Sequence, residues 1–258
     1  MLRKSLLAVS LFAALVSSGC ATMSVQREKA QAIKTVAIVG FTGITDLEDK
    51  NGPKSGVGDI MNAVNASKDV FGGDLDRRRL EQGENVYATL SSAVESTTGW
   101  KVADKKLLAS DPVYTGMLRE NPNLDSIAVK GLQRVPEVLR YEVASRMDAR
   151  TRAELCQRLG VDAIAVARVR YVIGDKSGFA LGGIGKTTIY PKAIVEWELL
   201  DGSDKPVWSD RWAEGEPTKD GFDNVMGAKS FENETQVLGA AAKSAFGKLV
   251  ARYQGGGK

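Results

Sequence analysis

Residues 155–173 read LCQRLGVDAIAVARVRYVI, and this stretch decides the fold. Helical apolar spacing predicts a helix over residues 149–159, and Gly160 is a typical C-terminal stop. The following residues, 162–173, are rich in alanine and β-branched residues and predict a long strand. Arg168 and Arg170 begin an alternation within it, so one face of this strand is expected to meet water.

Upstream, the pattern predicts a strand, a helix and a second strand. The apolar run TVAIVGF at residues 35–41 is typical of a strand covered on both faces, and Gly40 indicates a close approach or a turn. Helical spacing follows over residues 80–97, and a short strand is expected at 100–103. Such an order favours a parallel pair of strands joined by a right-handed crossover.

Downstream, the pattern changes to antiparallel strands. Residues 187–200 predict a strand with Val195, Trp197 and Leu199 on one face and Glu196 and Glu198 on the other, and Asp201-Gly202 is a turn signal. The return strand, 206–212, is predicted to place Trp208, Asp210 and Trp212 on a common face, and a last helix is expected over 235–253. The fold class is therefore α/β (α+β): a mixed sheet with helices packed on it, a βαβ start and antiparallel hairpins in the second half.

The N-terminus has the anatomy of an export signal. Arg3 and Lys4 precede an apolar run, residues 6–16, that is shorter than the about 20 residues needed to span a bilayer, and small residues lead to Cys20. The pattern resembles a bacterial lipoprotein signal, in which such a cysteine is acylated, although Ser17 stands where a large apolar residue is usual. An ordinary cleaved signal with an incidental Cys20 is the alternative. Since residue 21 is alanine and not aspartate, the resemblance implies the outer membrane.

These signals divide the chain into four predicted segments. Residues 1–19 are predicted to be the signal peptide and 20–33 a lipidated tether. Residues 34–254 are predicted to form a single domain with a glycine-rich loop at 42–75, and 255–258 a disordered tail.

Composition excludes several functions. The chain has no histidine, which removes Ser-His-Asp catalysis and most zinc sites. Once Arg3 and Lys4 leave with the signal, basic and acidic residues are nearly balanced, and the one basic triplet, 77–79, is flanked by acids, so no nucleic-acid partner is expected. Cys156 is left without a partner and is interpreted as a buried small hydrophobe.

No residues are predicted to be catalytic, to bind a cofactor or to hold a metal. Residues 181–188, LGGIGKTT, resemble a phosphate-binding loop, but Ala180 replaces a required glycine and Pro191 argues against a following helix, so a glycine-rich hairpin is preferred and no nucleotide is expected. Asp46, Glu48 and Asp49 could ligate a hard cation, but a solvated loop is the favoured interpretation.

Three passages, residues 35–41, 155–169 and 195–210, together resemble a superfamily of envelope lipoproteins. Its members include the curli secretion lipoprotein, the lipoprotein activators of penicillin-binding proteins and the N-terminal domain of the Tol-Pal propeller protein. Gly40 replaces the usual proline, and residues 42–75 and 110–136 have no counterpart.

The resemblance supplies no catalytic residue. It implies a periplasmic, membrane-anchored, non-enzymatic adaptor for another envelope protein, such as a cell-wall synthase or a secretion or motility machine. An oligomeric secretion pore is the second hypothesis, although Lys176, Lys186 and Lys192 interrupt the one available hairpin. A carboxylate-based cell-wall hydrolase is the third, and it requires a cleft lined by acids of raised pKa.

Overall fold

The computed structural model describes residues 22–48, 73–120, 132–133, 135–181, 184–203, 205–225, 228–229 and 233–255. Its strands are β1 (Met23–Val25), β2 (Thr35–Glu48), β3 (Lys101–Val102), β4 (Leu132–Gln133), β5 (Ala163–Leu181), β6 (Ile184–Leu200), β7 (Trp208–Glu214), β8 (Phe222–Val225) and β9 (Ala228–Lys229). Its helices are α1 (Arg27–Ala32), α2 (Gly73–Thr98), α3 (Lys105–Ser110), α4 (Pro112–Glu120), α5 (Tyr141–Ala144), α6 (Ala149–Leu159) and α7 (Glu234–Gly255).

The strands form one mixed sheet in the order β1-β7-β6-β5-β2-β3. β2 pairs parallel with both β3 and β5, while β6 is antiparallel to both of its neighbours, β5 and β7. β4 adds to β2, and β8 adds to the outer part of β6. The predicted fold class is confirmed, including the βαβ start from β2 through α2 to β3.

One face of the sheet is buried under α2 and α7. Trp197 and Trp208 are fully buried there, and the Trp208 ring lies 4.6 Å from the Tyr253 ring of α7. Phe41 of β2 meets Tyr87 of α2 edge to face at 5.9 Å. Burial of these rings supplies a large part of the apolar driving force for folding.

The other face of the sheet is covered in part by α5 and α6. Asp148 caps α6 by accepting a hydrogen bond from the Thr151 N–H at 2.7 Å, and Gly160 ends the helix with a φ of 64°. Asp162 then ties β5 to β2, because its Oδ2 accepts the N–H groups of Lys34 and Thr35, each at 2.8 Å. These hydrogen bonds hold the pKa of the Asp162 carboxyl below its usual range.

Gly40 allows α5 to lie directly on the sheet, which confirms the predicted close approach. A Cβ at position 40 would lie 2.4 Å from the Cβ of Ala144 and 3.0 Å from Val166 Cγ1. No larger residue fits between the strand and the helix without moving one of them.

We expect Gly40→Ala to lower the free energy of unfolding by about 1–3 kcal/mol, because α5 must shift to relieve the overlap. Gly247→Ala is the matched control. No neighbouring atom lies within 4 Å of a Cβ there, and removing a glycine from inside a helix stabilises by about 0.5–1 kcal/mol. Urea unfolding of both variants checks the contrast, and equal effects would contradict it.

Three predicted boundaries are wrong. The predicted glycine-rich loop spans 42–75, but β2 continues to Glu48 and α2 begins at Gly73. The predicted tether, 20–33, contains β1 and α1, with Met23, Ala30 and Ile33 buried in the core. The last helix includes Gly255, the first residue of the predicted tail. Residues 256–258, the signal peptide 1–19 and the rest of the loop, 49–72, lie outside the described residues.

Candidate functional site

The candidate site is the face of the sheet opposite α2 and α7, where β5 and β6 carry charged side chains. Arg168 lies directly opposite Glu196, so both side chains project from this face, together with Arg170 and Glu198 two residues further along their strands. Val195, Trp197 and Leu199 are fully buried on the opposite face, as predicted. We call these four residues, with Arg140 and Glu142 of the α5 segment, the charged face.

The charged face is held by a chain of ion pairs. The Glu196 carboxylate lies between two guanidinium groups: Oε1 is 3.2 Å from Arg170 Nε, and Oε2 pairs with Arg168 Nη2. Arg168 also lies 3.9 Å from Glu142, and Arg140 lies 3.6 Å from the same carboxylate. Because positive and negative groups alternate, the side chains hold one another in fixed positions.

Thr42 links this network to the backbone of α5. Its Oγ1 donates a hydrogen bond to Glu142 Oε2 at 3.2 Å and accepts one from the Tyr141 N–H at 3.0 Å. The sequence did not single out Thr42, because the glycines after it indicated a loop. Its place next to Glu142 follows only from the continuation of β2 past residue 42.

Burial raises the pKa of the Glu198 carboxyl, and Arg211 offsets only part of the shift. Glu196 on the same strand raises it further through like-charge repulsion. Mild acidification therefore neutralises Glu198 more readily than an ordinary glutamate.

Two aromatic rings flank the charged face. The Arg168 guanidinium lies 4.9 Å from the Tyr141 ring centroid, and that of Arg170 lies 5.5 Å from the Trp212 ring centroid. The Trp212 indole N–H also donates to Glu214 Oε2 at 2.7 Å. Aromatic residues and arginine are both enriched at protein interfaces relative to the rest of the surface.

The position of Trp212 contradicts the predicted common face of Trp208, Asp210 and Trp212. Trp208 and Asp210 point into the core, whereas Trp212 is 37% exposed and lies on the charged face. The cause is a β-bulge: β7 has two residues, 211 and 212, between its pairings with Val195 and Trp197, where β6 has only Glu196.

An apolar cavity of about 180 Å³ lies beside the charged face, at the edge of β2. Arg140 belongs to both, and Thr42, which lines the cavity, donates a hydrogen bond to Glu142 of the charged face. Leu80, which is 38% exposed, contributes an apolar side chain to its lining, and Glu137 on its wall adopts a φ of 63°, which is unusual for a residue other than glycine. The cavity is lined by Phe41, Thr42, Leu80, Leu118, Leu132, Gln133, Val135, Pro136, Glu137, Val138 and Arg140.

A second cavity, of about 370 Å³, lies between residues 216–220 and α7. Neither it nor the first is lined by Glu198 or Asp210, the two described carboxyls whose pKa is raised. Among the described residues, no group of three or more potential metal ligands comes together. The side chains of Asp46 and Glu48, and all of Asp49, lie outside the described residues.

In the segment resembling a phosphate loop, Leu181 and residues 184–188 belong to paired strands, while Gly182 and Gly183 lie outside the described residues. β5 and β6 pair as far as Leu181 and Ile184, and the chain after Lys186 continues as strand to Leu200. The preferred interpretation of a glycine-rich hairpin is therefore confirmed, because a phosphate loop requires a helix at this point.

Cys156 is buried, with 8% of its surface exposed, and no disulfide partner for it lies among the described residues. Burial raises the pKa of its thiol to about 11. The interpretation as a buried small hydrophobe is confirmed, since so little thiolate forms near neutral pH.

Cys20, the predicted lipidation residue, lies outside the described residues, which begin at Thr22. Thr22 is held firmly: its carbonyl accepts the Arg211 N–H, and its Oγ1 accepts Arg252 Nη2, each at 2.8 Å. Arg252 also pairs with the fully buried Asp210 at 3.1 Å. The described part of the chain is therefore held in place from Thr22 onward, two residues after Cys20.

No protein-family model and no curated protein sequence matches the chain. Among solved structures, the crystal structure of lipoprotein GNA1162 from Neisseria meningitidis is weakly similar, with a TM-score of 0.22 and 11% identity over 80% of this chain and 94% of that one. Such a likeness establishes neither a shared fold nor a shared function. None of the helices in the described part of the chain is both long and apolar enough to cross a bilayer.

Proposed function

We propose that this chain is a lipoprotein of the bacterial envelope, anchored to the outer membrane through acylated Cys20, and that it acts in the periplasm as a non-enzymatic adaptor. The observation that carries the adaptor role is the apolar cavity joined to the charged face at Thr42 and Arg140. The sequence around Cys20 carries the anchor.

The geometry of the cavity and the charged face supports a particular chemistry for the proposed partner. The cavity has room for one apolar side chain, and the charged face presents fixed guanidinium and carboxylate groups beside it. A buried apolar anchor surrounded by polar groups is the usual arrangement of a protein interface. The proposed partner is a segment of another envelope protein that carries an apolar side chain flanked by charges.

Photo-crosslinking in intact cells tests this proposal. A photo-reactive amino acid in place of the exposed Pro136, at the cavity wall, is expected to capture one envelope protein, identified by mass spectrometry. The same amino acid in place of Lys243, which is exposed on α7, is expected not to capture it. Capture of the same protein from both positions would contradict the proposed site.

We expect Leu80→Lys to weaken binding of the captured partner about tenfold, or ~1.4 kcal/mol, because it places a charge in the apolar cavity. Leu107→Lys is the matched control, since Leu107 is equally exposed but lies on α3 and does not line the cavity. Titration of both variants with the purified partner gives the ratio. Equal affinities would show that the cavity does not bind it.

The two rival functions predict different results. A pore subunit would form stable rings in detergent, and the long β5–β6 hairpin is the feature that favours it. A cell-wall hydrolase would degrade purified wall. The adaptor proposal predicts neither rings nor turnover, so size measurement in detergent and a wall-degradation assay separate the three.

A further inference from the structure

The short connection between Cys20 and the sheet restricts how the domain can sit on a membrane. Consecutive Cα atoms are about 3.8 Å apart, so the Cα atoms of Cys20 and Thr22 lie within roughly 8 Å of each other. Thr22 is itself fixed by Arg211 and Arg252, and the next residue, Met23, pairs with Asp210 of β7. An acyl group on Cys20 therefore emerges beside β7.

The side chains near this point suit a lipid–water interface. Arg211 is exposed, and Trp212 has 37% of its surface exposed, whereas the other three tryptophans, Trp100, Trp197 and Trp208, are at most 4% exposed. Tryptophan and arginine are favoured at the level of the lipid headgroups, where the indole meets apolar chains and the guanidinium meets phosphate.

We propose that Thr22, Arg211 and Trp212, which we call the β7 edge, lie against the phospholipid headgroups. This proposal rests on the acylation of Cys20 stated above and adds an orientation to it. Trp212 enters the interface and Arg211 faces the phosphates. β2, with its cavity, is three strands further along the sheet, roughly 14 Å from β7.

Quenching of tryptophan fluorescence by brominated phospholipids tests the orientation. The acylated full-length chain is reconstituted in vesicles of phosphatidylethanolamine and phosphatidylglycerol, with and without brominated acyl chains. We expect the brominated lipid to quench the wild-type emission, and Trp212→Phe to lose most of that quenching. Undiminished quenching in Trp212→Phe, or no quenching in the wild type, would overturn the proposal.

A second variant carries a flexible insertion of about 15 Gly/Ser residues between Ala21 and Thr22. It keeps the lipid, but the linker, with an end-to-end distance of roughly 20 Å, lets the domain move away from the membrane. We expect it to stay on the vesicles while its quenching falls. Mass spectrometry of each sample separates the two proposals. A chain without acyl groups that stays in the supernatant contradicts the anchor, whereas an acylated, vesicle-bound chain with unquenched Trp212 contradicts only the orientation.

Discussion

Arg252→Met is expected to lower the free energy of unfolding by about 3–5 kcal/mol, measured by urea unfolding of the domain. Asp210 has no exposed surface, and its Oδ2 lies 3.1 Å from Arg252 Nε. The backbone N–H of Trp212 donates a hydrogen bond to Asp210 Oδ1, also at 3.1 Å, but this neutral donor cannot balance a full negative charge. Removing Arg252 leaves a buried carboxylate without its counter-charge, which is among the most destabilising single changes.

Arg252 also joins three segments, which adds to the expected loss. Its Nη1 donates to the Trp212 carbonyl at 2.6 Å, and its Nη2 donates to Thr22 Oγ1. The double variant Asp210→Asn/Arg252→Met removes the charge together with its partner, so it is expected to recover a substantial part of the loss. If Arg252→Met costs less than about 1 kcal/mol, the pair behaves as a surface ion pair and the argument is wrong.

The pH dependence of stability follows from the direction in which the pKa of Asp210 is shifted. Burial raises the pKa of this carboxyl above its ordinary value, and the Trp212 N–H and Arg252 offset only part of the rise. The native state therefore binds this proton more tightly than the unfolded state, so the Asp210 contribution to stability grows as pH falls. Arg252→Met raises the pKa of Asp210 further, so the stability deficit of this variant is expected to shrink as the pH falls.

The sequence was sufficient for the fold class because its longest elements have clear periods. Arg168 and Arg170 on β5, and Glu196 and Glu198 on β6, alternate with apolar residues that the structure buries. A slip of one residue between two such strands would move the charges of one strand to the buried face, so the alternation excludes every odd shift of register. The charged face itself could thus be predicted in outline.

The N-terminal strand could not be predicted, because β1 is three residues long and has no recognisable period. Its partner, β7, lies far away in the sequence, and the contact is held by Arg252 at the other end of the chain. Local sequence carries no signal for a tertiary contact of this kind. For this reason the sequence predicts a tether over residues 20–33.

The extension of β2 was hidden by Gly43, which indicated a turn. In the structure Gly43 lies inside the strand, where a Cβ would be 2.2 Å from the Gln133 Oε1 atom of β4. A glycine is needed at this position because Gln133 packs against it, and not because the chain turns there. The cavity beside Thr42 was missed for the same reason, since it exists only where β2 and β4 meet.

The largest functional effect is expected from Cys20→Ser, which should move the protein from the membrane fraction to the soluble fraction. Each buried CH₂ of an acyl chain contributes about 0.8 kcal/mol to membrane binding, and stable attachment needs at least two chains. The β7 edge offers one indole and one guanidinium, which are too few to hold the domain on a membrane without the lipid. Fractionation of cells and labelling with radioactive palmitate measure the change.

Cys156→Ser is the matched control, because it removes the other cysteine of the chain. The Cys156 thiol is buried, and its raised pKa, about 11, leaves little thiolate to react, so the variant should keep both its label and its membrane attachment. Label in Cys20→Ser, or its loss in Cys156→Ser, would contradict acylation at Cys20. If Cys20 is incidental to an ordinary cleaved signal, the wild type and both variants remain unlabelled and soluble, and the orientation of the β7 edge loses its basis as well.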